Sequence, residues 1–488
     1  MNYTPTNFFS GSPLNRLSWL RPSHKFLNAI LTSPNTRWFL FNAGQPLVSY
    51  RPSESKEKPL KKIAYFPTRP LLPLLGPSPF FGQSQTSGAL LPDSEVTHST
   101  EAARHLGIPV VFLGLHEQGT SGSALPEAEF KDNAEAAVQN LEGTPYFAVD
   151  VGDLETSEVD GVLRQVEEEQ NVKFEWSEPR SAMGLMDPFE AAVFAEARSM
   201  VDWNYRHKFC AGCGSPQYSM WGGWKLSCSR LLPWGDNHAE GKKPCPSGKG
   251  LNNYTHPRTD AVVIMIAIDQ SGEKVLLGRS ARRKFPLKFY SALAGFIEPG
   301  ESFEDAVMRE MWEEAGVKVW DVTYHSAQPW PYPANLMVGY YARADSTKPV
   351  RTDLDNELMD ARWYTREEIL EVLAHQTGTR LDYKKFSQTE AQAEKAQSDL
   401  LQKQQQQWRT QQEQPGEGAG ALAHSDPNIV AKQAIEKQPG ADAALGVKVA
   451  SDEPAFRVPP VTAIAGVLIR DWAEKKIGFS PVQLPANL

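Results

Sequence analysis

Apolar and polar positions alternate along this chain in blocks that predict elements of three kinds. Residues 261–268 form an unbroken apolar run, the pattern of a strand buried on both faces. Shorter apolar runs at 37–41, 109–113 and 145–149 predict strands in the first part of the chain. The polar and proline-rich stretches at 52–87 and 115–126 predict loops. Phe189, Val193, Ala197 and Val201 repeat every fourth residue and predict a helix over 187–205. Beyond the long run, residues 274–278, 290–296, 337–344 and 362–364 predict further strands. Between them Phe303, Ala306, Val307, Met311 and Ala315 fall at spacings of three and four, the buried face of one helix. Ile464, Leu468 and Trp472 give a last helix after Pro459 and Pro460. Strands, one helix, strands and a later helix predict a mixed sheet between helices, and the chain as a whole is of the α/β class.

Composition changes this picture in one place. Residues 386–414 are rich in Gln, Ala, Glu and Lys, with four successive Gln at 404–407, and 415–452 are rich in Gly, Ala and Pro. So few large apolar residues cannot build a core, so about 380–455 reads as an insertion within a domain. An inert linker is favoured over a docking segment. The length of 488 residues predicts about three domains. A net charge of −9 argues against a general nucleic-acid-binding surface. No apolar run has the length of a membrane span, so no membrane association is expected. The first twenty residues lack the continuous apolar core of a secretion signal.

All four cysteines lie between 210 and 245, unlike a disulfide framework spread through a secreted chain. Cys210 and Cys213 have the spacing of a zinc knuckle, with Gly212 and Gly214 for the tight turn. Cys228 and Cys245 are separated by sixteen residues, wider than a usual zinc ribbon. A structural Zn²⁺ held by Cys210, Cys213, Cys228 and Cys245 is expected, since four thiolates close the coordination sphere. His238 in place of Cys245, and a redox Cys-x-x-Cys, stay open as alternatives.

The densest chemistry lies in 295–317. Ser302 and Asp305 have the spacing of a capping box, and Gly316 stands where a left-handed cap would end the helix. Glu310, Glu313 and Glu314 share a second helix face, where like charges oppose one another by a few tenths of a kcal/mol per pair. A divalent cation reverses that sign, and clustered carboxylates suit Mg²⁺ or Mn²⁺ gripping phosphate oxygens. A solvated acidic face is the bland alternative. Gly295, Glu301, Arg309-Glu310, Glu313-Glu314 and Gly316, at these spacings, fill the Nudix box, so the segment resembles a Nudix hydrolase active site.

Gln328, Pro329, Trp330, Pro331, Tyr332, Pro333, Ala334, Asn335, Leu336 and Met337 resemble the QPWPFPxSLM motif of the NADH pyrophosphatase family. The cysteine cluster, residues 257–260, the closing residues 459–469 and, more briefly, residues 12–18 are also similar to that family. Independently of the name, alternate prolines stiffen this loop, so Trp330 and Tyr332 present rigid faces to a flat base. The resemblance implies a Nudix α/β/α sandwich with a mixed sheet at 257–475, preceded by an N-terminal α/β domain at 1–200 and a zinc ribbon at 205–250, with a tail at 476–488. On its own residues the N-terminal domain reads as structural or dimerising.

By the same resemblance, Glu310, Glu314, Glu357 and the backbone carbonyl of Ala294 hold catalytic Mg²⁺ or Mn²⁺. Glu313 is the other catalytic carboxylate, and Arg309 orients the glutamates through charge-assisted hydrogen bonds. Phe296, the motif from Gln328 to Asn335, and Ala465 contact the substrate. Three departures stand out: His256 where many relatives have Tyr, Asn335 in place of Ser, and the wide Cys228–Cys245 spacing. The expected reaction is hydrolysis of the pyrophosphate of NADH, and of NAD⁺, to nicotinamide mononucleotide and AMP. Alternatives are removal of NAD caps from RNA, hydrolysis of ADP-ribose or diadenosine polyphosphates, and, in a different class, a catalytically dead zinc-ribbon adaptor. A homodimer is implied, with a dinucleotide or NAD-capped RNA as partner molecule. The terminal Ala486, Asn487 and Leu488 partly resemble the Ser-Lys-Leu address, which leaves peroxisome or cytoplasm as the expected location.

Overall fold

A computed structural model of the chain describes residues 7–52, 59–82, 102–105, 107–117, 134–139, 143–232, 235, 241, 243–249, 258–281, 288–355, 357–380 and 454–479. The insertion proper, His238, His256, Pro257 and the terminal tripeptide lie outside the described residues.

The first sheet holds seven strands: β1 (Arg37–Asn42), β2 (Gln45–Tyr50), β3 (Lys62–Ile63), β4 (Tyr65–Phe66), β5 (Val110–His116), β6 (Thr144–Asp150) and β7 (Lys173–Trp176). Their order is β3-β2-β1-β6-β5, with β4 on β1 and β7 on β2. β1 and β6 run parallel, with Arg37 opposite Tyr146. β1 is buried on both faces, which its apolar run requires. Trp38 and Leu40 face a core shared with helices α1 (His24–Leu31), α2 (Thr68–Leu75) and α4 (Thr156–Gln170); a short α3 (Ala134–Gln139) lies between the last two. Phe39 and Phe41 face the other way, toward α6 (Pro188–Arg206), which follows the one-turn α5 (Pro179–Ala182). Asp187 caps α6 in a reciprocal capping box with Glu190. Within the stretch expected to be loop at 52–87, the chain instead forms β3, β4 and α2. Leu71, Leu74 and Leu75 of α2 are buried, and that apolar face outweighs its internal Pro73.

Strands β8 (Gln217–Met220) and β9 (Lys225–Cys228) form a hairpin stitched to this first sheet. Phe112 N donates to the Gly222 carbonyl at 2.9 Å, and Trp224 Nε1 donates to the Phe112 carbonyl at 2.6 Å. Gly223 must lack a side chain: its φ is +86°, and a Cβ would meet the Val110 carbonyl oxygen at 2.8 Å.

The third sheet runs β13-β14-β10-β11-β15, with β12 on β10. Its strands are β10 (Asp260–Asp269), β11 (Lys274–Ser280), β12 (Leu293–Phe296), β13 (Val319–Trp330), β14 (Asn335–Ala344) and β15 (Leu358–Thr365). β10 is the axis, parallel to β14 and antiparallel to β11 and β12. Val263, Met265 and Ala267 pack on α7 (Phe303–Ala315). Ile264, Ile266 and Ile268 pack on α8 (Arg366–Ala374) and α9 (Ile464–Ala473). Each Val, Ile or Met side chain here contributes about 1.5–3 kcal/mol by leaving water, which explains why the run has no polar break. The result is the α/β/α sandwich with a mixed sheet. Arg366 ties its second layer together, donating to the carbonyls of Gly272 (2.8 Å) and Trp472 and to Glu273 (3.0 Å).

The chain leaves the described fold after Arg380 and returns at Pro454. Its two ends are joined: Val458 N donates to the Gly378 carbonyl at 3.0 Å, and Arg457 bonds Lys288 and Tyr290 through its backbone.

Candidate active site

Ser302 accepts from Asp305 N, while the Asp305 carboxylate accepts from Ser302 N, so α7 opens on a full capping box. Gly316, at φ +64°, closes it. Ala306, Val307, Met311 and Ala315 are buried as their spacing requires. Phe303 is not: as the first helical residue it is 37% exposed and stacks on Tyr340 instead of entering the core.

Between the helix and β12 sits Arg309. Its Nε and Nη2 make a fork on Glu301, at 2.5 and 2.9 Å. Nη1 donates to Glu310 (2.7 Å) and Glu313 (2.9 Å), and Nη2 also reaches the Phe296 carbonyl at 2.9 Å. One planar cation thereby fixes three carboxylates and the end of a strand. The fork holds the Glu301 carboxyl down at about 2.

Gly295 explains itself by what lies against it. A Cβ there would fall 1.8 Å from Glu310 Cδ, so only a bare backbone lets the carboxylate rest on β12. Gly295→Ala is therefore expected to displace Glu310 and lower kcat/KM by roughly 10²-fold, with little change in melting temperature because a flexible side-chain end can move aside. Steady-state rates beside a thermal melt check this. Equal loss of activity and stability would count against it.

Glu314 points inward and is 5% exposed. Its Oε1 has no hydrogen-bond partner among the described residues. Burial, then the nearby Glu310, Asp355 and Glu357 carboxylates, push its carboxyl up to about 8, with the Ala294 amide opposing. Burial likewise raises Glu310. A buried carboxylate with one oxygen unpartnered, among other carboxylates, is costly unless it is protonated or meets a cation. The donor set of Glu310, Glu314 and Glu357, with Ala294 on the adjoining strand, is all oxygen and fits a hard divalent ion. Glu357 stands just before β15, its carbonyl held by Ala281 N at 2.8 Å and its amide bonded to Asp355 at 2.9 Å. Asp355 was not singled out from the sequence. Its position two residues before Glu357 was the only available signal.

The residues expected to meet substrate divide into two groups. Phe296 is 58% exposed beside the carboxylates. The sheet register puts it at the same end of the sheet as the aromatic motif, because Val262 pairs with both Phe296 and Met337, Asp260 with Asn335, and Asn335 with Trp330. Three strand spacings, about 14 Å across the sheet, and a two-residue offset, about 7 Å along it, separate Phe296 from Trp330. The motif is a hairpin rather than a free loop: β13 continues to Trp330, residues 331–334 turn, and β14 begins at Asn335. Pro331 and Ala334 are buried, while Pro329, Trp330, Tyr332, Pro333 and Asn335 are half-buried. Asn335 Oδ1 is buried without a partner among the described residues. Two expected contacts turn inward. Gln328 is fully buried, with both amide hydrogens and its oxygen engaged within the chain. The Ala465 side chain is 5% exposed in the core beneath α9.

The four cysteines converge. Their sulfurs lie within 4.8 Å of one another, with Cys210–Cys245 at 3.6 Å and Cys213–Cys228 at 3.4 Å. Those separations exceed a disulfide bond of about 2.05 Å and approach the edge of a tetrahedron whose metal–sulfur bonds are about 2.3 Å. The cluster fits a metal ion, and Cys245 belongs to it.

Residues 257–386 match the model of the NUDIX domain, and residues 35–203 match that of the NADH pyrophosphatase-like rudimentary NUDIX domain. The N-terminal sheet is thus a Nudix relative without a box, which is why its sequence carried no catalytic signal. The chain is 32% identical over 371 residues to a protein of Schizosaccharomyces pombe named NAD-capped RNA hydrolase, covering 76% of this chain and 86% of that one. A Saccharomyces cerevisiae protein of the same name is 29% identical over 380 residues, covering 77% and 89%. A Homo sapiens NAD-capped RNA hydrolase is 46% identical over 195 residues, covering 40% of this chain and 39% of that one. With the carboxylates of the box on one helix and the loop before it, the aromatic hairpin at the same sheet end, and similarity running through both sheets, the chain belongs to the NADH pyrophosphatase family of Nudix hydrolases.

Proposed function

We propose that the protein hydrolyses the pyrophosphate bond of NADH and NAD⁺, giving nicotinamide mononucleotide and AMP. The observation that carries this is the shared sheet end: the carboxylates around buried Glu314 and exposed Phe296 on one side, the Trp330–Tyr332 corner three strands across the sheet, about 14 Å laterally, on the other. That spacing suits a diphosphate at the glutamates with a flat base on an aromatic face. Mg²⁺ or Mn²⁺, when bound, neutralises the diphosphate and acidifies an attached water. Glu310, Glu314, Glu357 and the Ala294 carbonyl hold it. Arg309 keeps Glu310 and Glu313 in place, and Glu313 or Glu357 accepts the proton of the attacking water. The P–O–P bond breaks as the water oxygen joins phosphorus, leaving two monophosphates.

NAD-capped RNA is the second reading. The same bond joins its cap, and relatives carry that activity in their names. The intact carboxylates weigh against a dead adaptor. Zn²⁺ is our choice for the cysteine cluster, and a homodimer for the assembly. Peroxisome and cytoplasm remain the compartments to compare, by following a tagged protein with and without Leu488. The central experiment runs NADH, NAD⁺, ADP-ribose, a diadenosine polyphosphate and NAD-capped RNA in parallel with product identification. Release of nicotinamide mononucleotide from NADH or NAD⁺ at the highest kcat/KM is expected. A clear preference for ADP-ribose or diadenosine polyphosphate would overturn the reading.

A further inference from the structure

We propose that residues 7–10 act as a latch that positions the Trp330–Tyr332 corner for the base of the substrate, with Gln328 as its keeper; this rests on the dinucleotide reading above. Residues 7–10 belong to no strand or helix. Yet Asn7 Nδ2 donates to Ser326 Oγ (2.9 Å) and to the Ala327 carbonyl (3.0 Å), and Ser10 Oγ donates to the same carbonyl (3.3 Å). Gln328 Nε2 donates to the Phe8 carbonyl (2.8 Å) and the Thr462 carbonyl (3.0 Å), and Oε1 accepts from Ile464 N (2.8 Å). Exchanging the amide's oxygen and nitrogen would lose all three bonds, so its orientation is fixed by its partners. One buried amide thus joins the first residues of the chain, β13 and the start of α9.

The latch ends in an aromatic contact. Phe9, 2% exposed, meets Trp330 edge-on (6.1 Å, 81°) and Tyr332 edge-on (6.2 Å, 75°), and these two rings meet each other at 5.0 Å and 68°. Behind it runs a chain of donors in one direction. Asn7 donates to Ser326, whose hydroxyl faces His325 Nδ1 at 2.7 Å, and His325 Nε2 faces Asp471 at 3.3 Å on α9. Burial keeps His325 below its ordinary range, the neutral form in which Ser326 can donate to Nδ1 while Nε2–H donates to Asp471. The strand ladder alone stops at the Trp330–Asn335 pair, so it leaves Tyr332 unset. Contacts with residue 9, with the Pro179 carbonyl and with the Arg180 guanidinium 5.2 Å over its ring contribute to its placement.

None of these atoms lies among the carboxylates, so the latch acts on base binding and not on phosphate chemistry. The test is steady-state kinetics of the full chain with NADH. Phe9→Ala is expected to raise KM by roughly 10-fold with kcat within about twofold, Asn7→Ala with Ser10→Ala to raise it about threefold, and Phe9→Leu to restore most of the loss. Thermal melts accompany each variant. If Phe9→Ala does not fold, the Asn7/Ser10 pair carries the test, since it removes no aromatic ring from the core. Unchanged KM in folded variants, or a fall in kcat that tracks the folded fraction, overturns the latch. If the wild type ignores NADH but cleaves another nucleoside diphosphate derivative, the substrate reading fails, and the same KM-against-kcat split on that compound still decides the latch.

Discussion

Glu314→Gln is expected to lower turnover by about 10³-fold or more while both large sheets stay folded. Glutamine keeps the shape of the side chain but removes the charge, and the charge is what a divalent ion needs from this buried oxygen. The same variant reports on the folded state through pH. In the metal-free protein Glu314 is pushed up to about 8, above the ordinary carboxylate value it regains on unfolding. Between about 4.5 and 8 the folded form therefore holds a proton that the unfolded form has released. Metal-free stability accordingly falls as pH rises through that window, by an amount on the order of a few kcal/mol. Melting temperatures in chelator from pH 5 to 8.5 should decline for the wild type and run flatter for the variant. Added Mg²⁺ should stabilise the wild type most at the alkaline end, where the carboxylate is free to bind. Near-normal turnover by a folded Glu314→Gln protein would remove the carboxylate from the mechanism.

The second large effect belongs to the cysteines. Within the cluster, burial pushes the thiols of Cys228 and Cys245 upward, whereas at Cys213, against its burial, hydrogen bonds from Ser215 bring the thiol down to about 6. A bound ion converts that cluster into the core of a hairpin that has few apolar side chains of its own. Cys228→Ser should lose the bound metal, measured by elemental analysis, and lower the melting temperature by on the order of 10 °C. Specific activity per folded molecule should change far less than for Glu314→Gln, because a closed four-sulfur site has no position for water. Retained metal at full stoichiometry would mean that Cys228 is not a ligand.

Much of this was legible before any fold was in view. The apolar run at 261–268, the four-residue repeat in α6 and the box helix carry periods that only one buried arrangement satisfies. The carboxylates were legible because their spacing is local. What stayed hidden depends on distance along the chain. β13 alternates poorly because it is an edge strand with Pro329 in it, and part of its burial comes from residues 7–10, over three hundred positions earlier. Gln328 reads as a polar residue in a recognition motif until those partners are seen. Phe303 fits the helical period but sits at the first turn, where the core has already ended. α4 shows Val159, Leu163 and Val166 at spacings of four and three, a signal its many acidic residues masked.

The stitch between Gly378 and Val458 has a consequence for how this enzyme can be altered. Seventy-three residues, 381–453, depart and return through two hydrogen-bonded neighbours. Closing a chain between fixed ends costs about 0.6 kcal/mol per doubling of its length, so between the same two ends a connector one eighth as long differs in closure entropy by only about 2 kcal/mol. The second layer of the sandwich is already anchored by Arg366 on one side and Trp472 on the other. The junction itself is held by described residues on the layer that packs away from the box helix, so the carboxylates are anchored independently of it.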